Sequence, residues 1–223
     1  MKLLIWDFDG TLGHREACPK TAWSTTAKEI LADHHPEVSY SGGLLSSGFP
    51  WHNWEVPHVG QDPEEYWKPI ATLYQQMFET LGLHATAVQL SAQVRERFCD
   101  YRKWHLYPGT LETLEAVSKK GYQQVVLSNH VPELNQIIEH LGVGRHLNGI
   151  FNSGLTGYEK PHPESYLQIL RAYPQAKRVV MVGDNRTADV LVPEQHGIEG
   201  ILLRSTDPEL KSAQSHEEMF GFL

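Results

Sequence analysis

Apolar runs without polar alternation recur along the chain, and each stops at glycine or polar residues. Lys2–Phe8 ends among carboxylates. Gln124–Leu127 (QVVL) ends at Ser128-Asn129, and Arg178–Val182 (RVVMV) ends at Gly183-Asp184. Gly149–Phe151 is a weaker run, and Ile198–Leu203 closes the series. Short continuous runs of this kind suit strands buried on both faces of a parallel sheet. Between them the period changes to that of helices. Thr110–Lys120 puts Leu111, Leu114 and Val117 on one face and meets Gly121. Pro132–Leu141 carries Leu134, Ile137, Ile138 and Leu141 between an initial proline and Gly142. Pro163–Ala172 groups Tyr166, Leu167, Ile169 and Leu170. The alternation predicts an α/β fold, a doubly wound, Rossmann-like parallel sheet.

Residues 20–105 read differently. Five of the six tryptophans (Trp23, Trp51, Trp54, Trp67 and Trp104) fall there. Thr21–Ala32 predicts a helix. Asp62-Pro63 predicts the start of another, which runs by Trp67, Ile70, Tyr74, Met77, Phe78 and Leu81 to Gly82. Pro69 is a misfit within it. Val88–Tyr101 predicts a third helix, and no strand signal interrupts the segment. A helical bundle inserted after the first strand follows, with boundaries at 16–105 for the bundle and 1–15 plus 106–223 for the core. Gly42–Gly60 has no period. Its exposed aromatic residues and prolines suggest a binding loop, with Trp51, His52 and Trp54 as the candidate substrate contacts.

The chain has 223 residues, of which 40% are hydrophobic and 21% charged, enough for a sizeable core. The net charge is −8, from 19 basic and 27 acidic residues. That argues against nucleic acid or an acidic membrane surface as partner. A local device must therefore hold any anionic ligand. Leu3-Leu4-Ile5-Trp6 is too short for a secretory leader, and no run approaches a membrane span, so a cytoplasmic protein is expected. Cys18 and Cys99 form no disulfide framework, and no HxH, HExxH or CxxC organises the histidines into a zinc site.

Ligands of open α/β sheets bind at the carboxyl ends of strands. Asp7-Phe8-Asp9-Gly10-Thr11 follows the first run, and alternation sets Asp7 and Asp9 on one side of the chain. One carboxylate could attack while the other moves a proton, and a divalent cation would relieve their repulsion. Thr11 could orient the loop. Ser128-Asn129 offers a hydroxyl and backbone N–H groups for a phosphate. Lys160 brings positive charge, and Asp184 and Asp189 are hard oxygen ligands suited to magnesium. Each also has an ordinary counterpart: an acidic turn, turn chemistry, a solvated lysine, a helix cap.

In order, DxDGT, Ser-Asn, Lys-Pro and GDxxxxD resemble the haloacid dehalogenase (HAD) superfamily of phosphohydrolases, over residues 1–16 and 106–205. The helical insertion looks like the small cap of its phosphoglycolate phosphatase-like members. The resemblance implies Asp7 as nucleophile forming an aspartyl-phosphate, and Asp9 as general acid and then base. It implies Ser128, Asn129, Lys160 and Thr11 around the phosphoryl group. It implies Mg2+ on Asp7, Asp184 and the carbonyl of Asp9, with Asp189 supporting the metal shell. The expected activity is hydrolysis of a small phosphorylated metabolite. The runner-up is a sugar phosphomutase, and a retired binding module is a third reading. His14, Arg15 and His130 could also face the pocket, His130 equally being a surface residue at a helix start.

Overall fold

The unalternated apolar runs become one parallel sheet in the computed structural model, which describes residues 1–16, 21–58 and 62–223. Its strands are β1 (Lys2–Trp6), β2 (Gly13–Arg15), β3 (Trp104–Leu106), β4 (Tyr122–Ser128), β5 (Gly149–Asn152), β6 (Arg178–Gly183), β7 (Glu199–Leu203) and β8 (Ser212–Ala213). Six of them form a sheet in the order β5-β4-β1-β6-β7-β8, with every neighbouring pair parallel. β1 is central, and the chain winds outward from it on one side and then on the other. The loops after β1, β4 and β6 therefore meet at one edge.

The helices are α1 (Ala22–His34), α2 (Pro63–Thr80), α3 (Ala87–Ser91), α4 (Val94–Phe98), α5 (Thr110–Lys119), α6 (Leu134–His140), α7 (Ser153–Thr156), α8 (Pro163–Ala172), α9 (Val192–Gln195) and α10 (His216–Phe220). Successive side chains of β1 point to opposite faces. Leu4 and Trp6 pack with Leu114 and Val117 of α5 and with Ile137 and Ile138 of α6. Leu3 and Ile5 pack with Tyr166 and Ile169 of α8. Covering both faces explains why the strand runs lack alternation. Each fully buried Leu or Ile contributes about 2 kcal/mol. The expected doubly wound α/β fold is the one observed. No described helix is long and apolar enough to cross a membrane.

α1, α2, α3 and α4 make up the helical insertion. Asp62 caps α2 by accepting from the Glu65 N–H at 2.8 Å, and the helix runs through Pro69. Two expectations need correction. The predicted helix Val88–Tyr101 is divided into α3 and α4, because the Gln93 N–H bonds back to Leu90 O and tightens the turn between them. A strand does enter the segment: β3 pairs antiparallel with β2, Gly13 opposite Leu106 and Arg15 opposite Trp104. Three-residue strands are too short to show a period. The ribbon joins the outgoing and returning chains. Arg15, proposed for the pocket, is instead fully buried. It donates to both Glu29 oxygens, at 3.1 and 2.9 Å, and to Arg97 O at 2.9 Å, tying the ribbon to α1 and α4. His14 packs on Tyr107, with ring centroids 4.7 Å apart. Cys18 lies outside the described residues. Cys99 is a free thiol whose pKa burial pushes up.

Candidate active site

The turn after β1 is drawn tight because Phe8 O accepts from the N–H groups of Thr11, Leu12 and Gly13 at 3.1, 2.9 and 3.0 Å. Gly10 has φ +87°, and a Cβ there would stand 2.6 Å from Asp184 Oδ2. Only glycine allows the loops after β1 and β6 to approach this closely. Asp7 is buried, and both its oxygens are engaged. Oδ1 accepts from Ser128 Oγ at 3.1 Å and from Lys160 Nζ at 2.9 Å, while Oδ2 accepts from Thr11 Oγ1 at 3.3 Å. Thr11 is itself fully buried, and its hydroxyl orients Asp7.

Lys160 is not a solvated lysine but is 5% exposed. Its ammonium also donates to Asp189 Oδ1 at 2.7 Å. Burial opposes its charge, but Asp189 and Asp7 outweigh burial and hold its pKa well above the ordinary lysine value. Burial pushes the Asp189 carboxyl up, while Lys160 pulls it back toward the ionised form. The second Asp189 oxygen accepts from the Asn185 N–H at 2.9 Å. Asp189 stands in a π-helical turn, Arg186–Leu191, which Asn185 caps by accepting from the Thr187 and Ala188 N–H groups at 3.0 Å. Such bulged turns recur at functional sites.

Asn129 has a role that its position after a strand did not disclose. Its Oδ1 accepts from the Lys160 N–H at 2.6 Å, and its Nδ2 donates to Lys160 O at 2.8 Å. The side chain thus clamps the lysine backbone rather than waiting for an anion. Asp9 lies beside Asp7, with its Oδ1 buried and unpartnered. Burial first, then the neighbouring Asp7 and Asp184 carboxylates, push its pKa up to about 8. Oxygens of Asp7, Asp184 and Asp189 lie within 4.8 Å of one another.

Two cavities adjoin at this edge. One of about 450 Å³ is lined by Asp7, Ser128, Lys160, Asp189, Trp54 and Thr187, among others. The other, about 350 Å³, is lined by Trp23, Phe98, His130 and Val131. Asp9, Trp51, Asn129, Asp184 and Asn185 line both. Trp51 and Trp54 thus reach the site. His52 is exposed and lines neither of these cavities, its Nδ1 accepting from the Phe49 N–H at 3.2 Å. His130 is not at the surface but 4% exposed, packed against Phe8, Phe98 and Trp104. Burial lowers its pKa to about 4.

A profile of the haloacid dehalogenase-like hydrolase family matches residues 1–197. The chain belongs to this family. Haloacid dehalogenase-like hydrolase domain-containing protein 3 of Homo sapiens is 25% identical over 234 residues, covering 100% of this chain and 91% of that protein. The phosphoserine phosphatase of Thermus thermophilus is 30% identical over 230 residues, covering 94% and 92%. A crystal structure of the HAD-hydrolase YfnB from Bacillus subtilis, bound to magnesium, superposes with a TM-score of 0.68 at 15% identity, covering 100% of this chain and 98% of that one. The protein is thus a hydrolase of the HAD superfamily, an enzyme of the phosphoric monoester hydrolase type. Sequence reasoning about this HAD hydrolase missed Trp23, Phe98 and Asn185 at the site. Trp23 and Phe98 carry the helical apolar period of bundle core, which does not reveal that one edge of that core faces a cavity.

Proposed function

We propose that the protein is a magnesium-dependent phosphatase that hydrolyses a small phosphorylated metabolite through an aspartyl-phosphate on Asp7. The observation that carries this reading is the buried Asp7, oriented by Thr11 and Ser128 and paired with Lys160, beside an Asp9 whose pKa burial and the neighbouring carboxylates push up. An Asp7 oxygen bonds to phosphorus as the bond to the ester oxygen breaks, and Asp9 gives that oxygen its proton. The ionised Asp9 then takes a proton from water. The water oxygen bonds to phosphorus, and phosphate leaves Asp7 free again. Each displacement is easier than direct hydrolysis would be. Ser128, Lys160 and the N–H groups of the loops after β1 and β4 bind charge on the phosphoryl oxygens.

The donor set suits magnesium, being all carboxylate oxygen. Asp189 already serves Lys160 and Asn185, so Asp7 and Asp184, with the carbonyl of Asp9, would hold the ion and Asp189 would support them. When bound, the ion supplies positive charge that offsets repulsion between Asp7 and the phosphoryl group. Residues 1–15 and 106–223 form the catalytic core in this reading, with 16–105 as its cap. A cytoplasmic setting belongs to the same reading and rests on the sparse cysteines.

Release of phosphate from an aryl phosphate, with magnesium and with chelator, tests the proposal. Turnover should require the metal and vanish in Asp7→Asn. Metal-independent turnover, or an active Asp7→Asn protein, would sink it. Conversion of β-glucose 1-phosphate to glucose 6-phosphate without free phosphate would favour a mutase instead.

A further inference from the structure

The 350 Å³ cavity on the insertion side of Asp9 has a composition that bears on the leaving group. Aromatic rings line its wall. Phe98 lies 3.9 Å from Trp23 at 15°, and Trp51 lies 5.5 Å from Trp23 at 36°. Phe98 stacks on Trp23 and Trp51 is tilted to it, so the rings offer apolar surface, whereas a cage for a cation sets ring faces around it. Among the described residues, neither Lys nor Arg lines this cavity. Lys160, which lines the adjoining one, is already committed to Asp7 and Asp189. An acidic leaving group would lose its hydration beside the carboxyl groups of Asp9 and Asp184, with no cation of the cavity to receive it.

The wall has one further polar handle. His130 Nδ1 lies 3.4 Å from Val131 O, which can only accept, so Nδ1 carries the proton of the neutral ring. Nε2 is then an acceptor, and it is buried with no partner. A buried acceptor without a partner is costly, and a donor on the ligand would recover that cost.

We infer that this cavity selects phosphomonoesters whose leaving group is uncharged, packs an aromatic ring against Trp23 and Trp51, and donates one hydrogen bond to His130 Nε2. The inference rests on the phosphatase reading and names its substrate class. It separates this protein from esters of acids such as phosphoglycolate and phosphoserine.

A matched benzyl series tests it, since the ester oxygen is nearly constant across 3-hydroxybenzyl, 3-carboxybenzyl and 3-(aminomethyl)benzyl phosphate. Binding to the Asp7→Asn protein with magnesium is read by calorimetry. The hydroxybenzyl ester should bind at least about tenfold more tightly than the carboxybenzyl ester and phosphoglycolate, and more tightly than the aminomethyl ester. Added to Asp7→Asn, His130→Leu should bring the hydroxybenzyl ester to the level of plain benzyl phosphate. Trp51→Leu should weaken the benzyl esters more than phosphoglycolate. Equal or tighter binding of the acidic or cationic esters, or binding of none, overturns the inference. Turnover by the native enzyme is scored separately. If the hydroxybenzyl ester binds selectively but is not hydrolysed, the phosphatase reading falls and the cavity's selectivity stands. If all esters are hydrolysed with the acids preferred in kcat/KM, the inference alone falls.

Discussion

Lys160 and His130 show how far a side chain's chemistry depends on its surroundings. Both are almost fully enclosed, yet one stays charged and the other neutral. Lys160 has carboxylates at 2.7 and 2.9 Å, whereas His130 is packed among the rings of Phe8, Phe98 and Trp104, and the nearby Asp7 only partly offsets its burial. The histidine carries a pH signature. Its folded pKa of about 4 lies below the ordinary 6.5, so between these values the unfolded chain binds more protons. Stability should therefore be full above pH 6.5 and fall as pH drops toward 4, by up to about 3 kcal/mol from this group. Urea denaturation at pH 7 and pH 4.5 checks it. The pH dependence of His130→Phe should be smaller than that of the native protein, and an unchanged dependence would refute the assignment. At this scale the motif residues Asp7, Asp9, Ser128, Lys160, Asp184 and Asp189 were legible from type and spacing. The hydrogen bonds of Thr11, Asn129 and Arg15 were not, because a polar residue's partner is set by chain that lies far away in sequence.

Elements act here by delivering strand ends to one edge. The Asn129 side chain fastens the loop after β4 to the Lys160 loop, using donor and acceptor together. Arg204 braces the loop after β1 in a comparable way. It donates to Gly10 O at 2.8 Å and to Thr11 O, and lies over the Tyr107 ring at 3.4 Å. Asn129→Ala should leave the fold intact and displace Lys160. A misplacement on the order of 1 Å can cost about 100-fold in rate, so kcat should fall by about 10–100-fold with a smaller change in KM. Asn129→Asp should not restore the rate, because a carboxylate cannot donate to Lys160 O. Steady-state kinetics on an aryl phosphate measure both. Among elements, the long strands and α5, α6 and α8 were legible within a few residues, since burial imposes a period on them. The ribbon of β2 and β3 and the break between α3 and α4 were hidden, because each depends on hydrogen bonds over too few residues to leave a pattern.

Across the molecule, the insertion meets the rest of the chain through polar ties beside the cavities. Glu133, just before α6, accepts from Trp67 Nε1 at 3.1 Å and from Arg95 Nε at 2.7 Å. His58 reaches the buried Glu159 at 3.0 Å, next to Lys160 in sequence. Glu133→Ala removes the first tie, leaving the Trp67 N–H without that acceptor and Arg95 with Glu64. Amide exchange in α2 and α4 should quicken while β1, β4 and β6 stay protected, and KM should rise more than kcat falls. Exchange measured by mass spectrometry, with kinetics on the same protein, decides this; uniform loss of protection would mean simple destabilisation.

The fold class, the series of strands and helices, and the polar groups that converge at the strand ends are legible in the sequence. Apolar period and motif order are local records of burial and of loop position, so they can be read without a fold. Which charges are enclosed, how Asp7 is held, that His52 stays outside the two cavities at the strand ends, and that Trp23 and Phe98 wall one of them come from the tertiary structure. Lys160 meets Asp7 across 153 residues of chain. Charge state, hydrogen-bond partner and cavity shape all arise from such distant contacts, whose energies no short window of sequence contains.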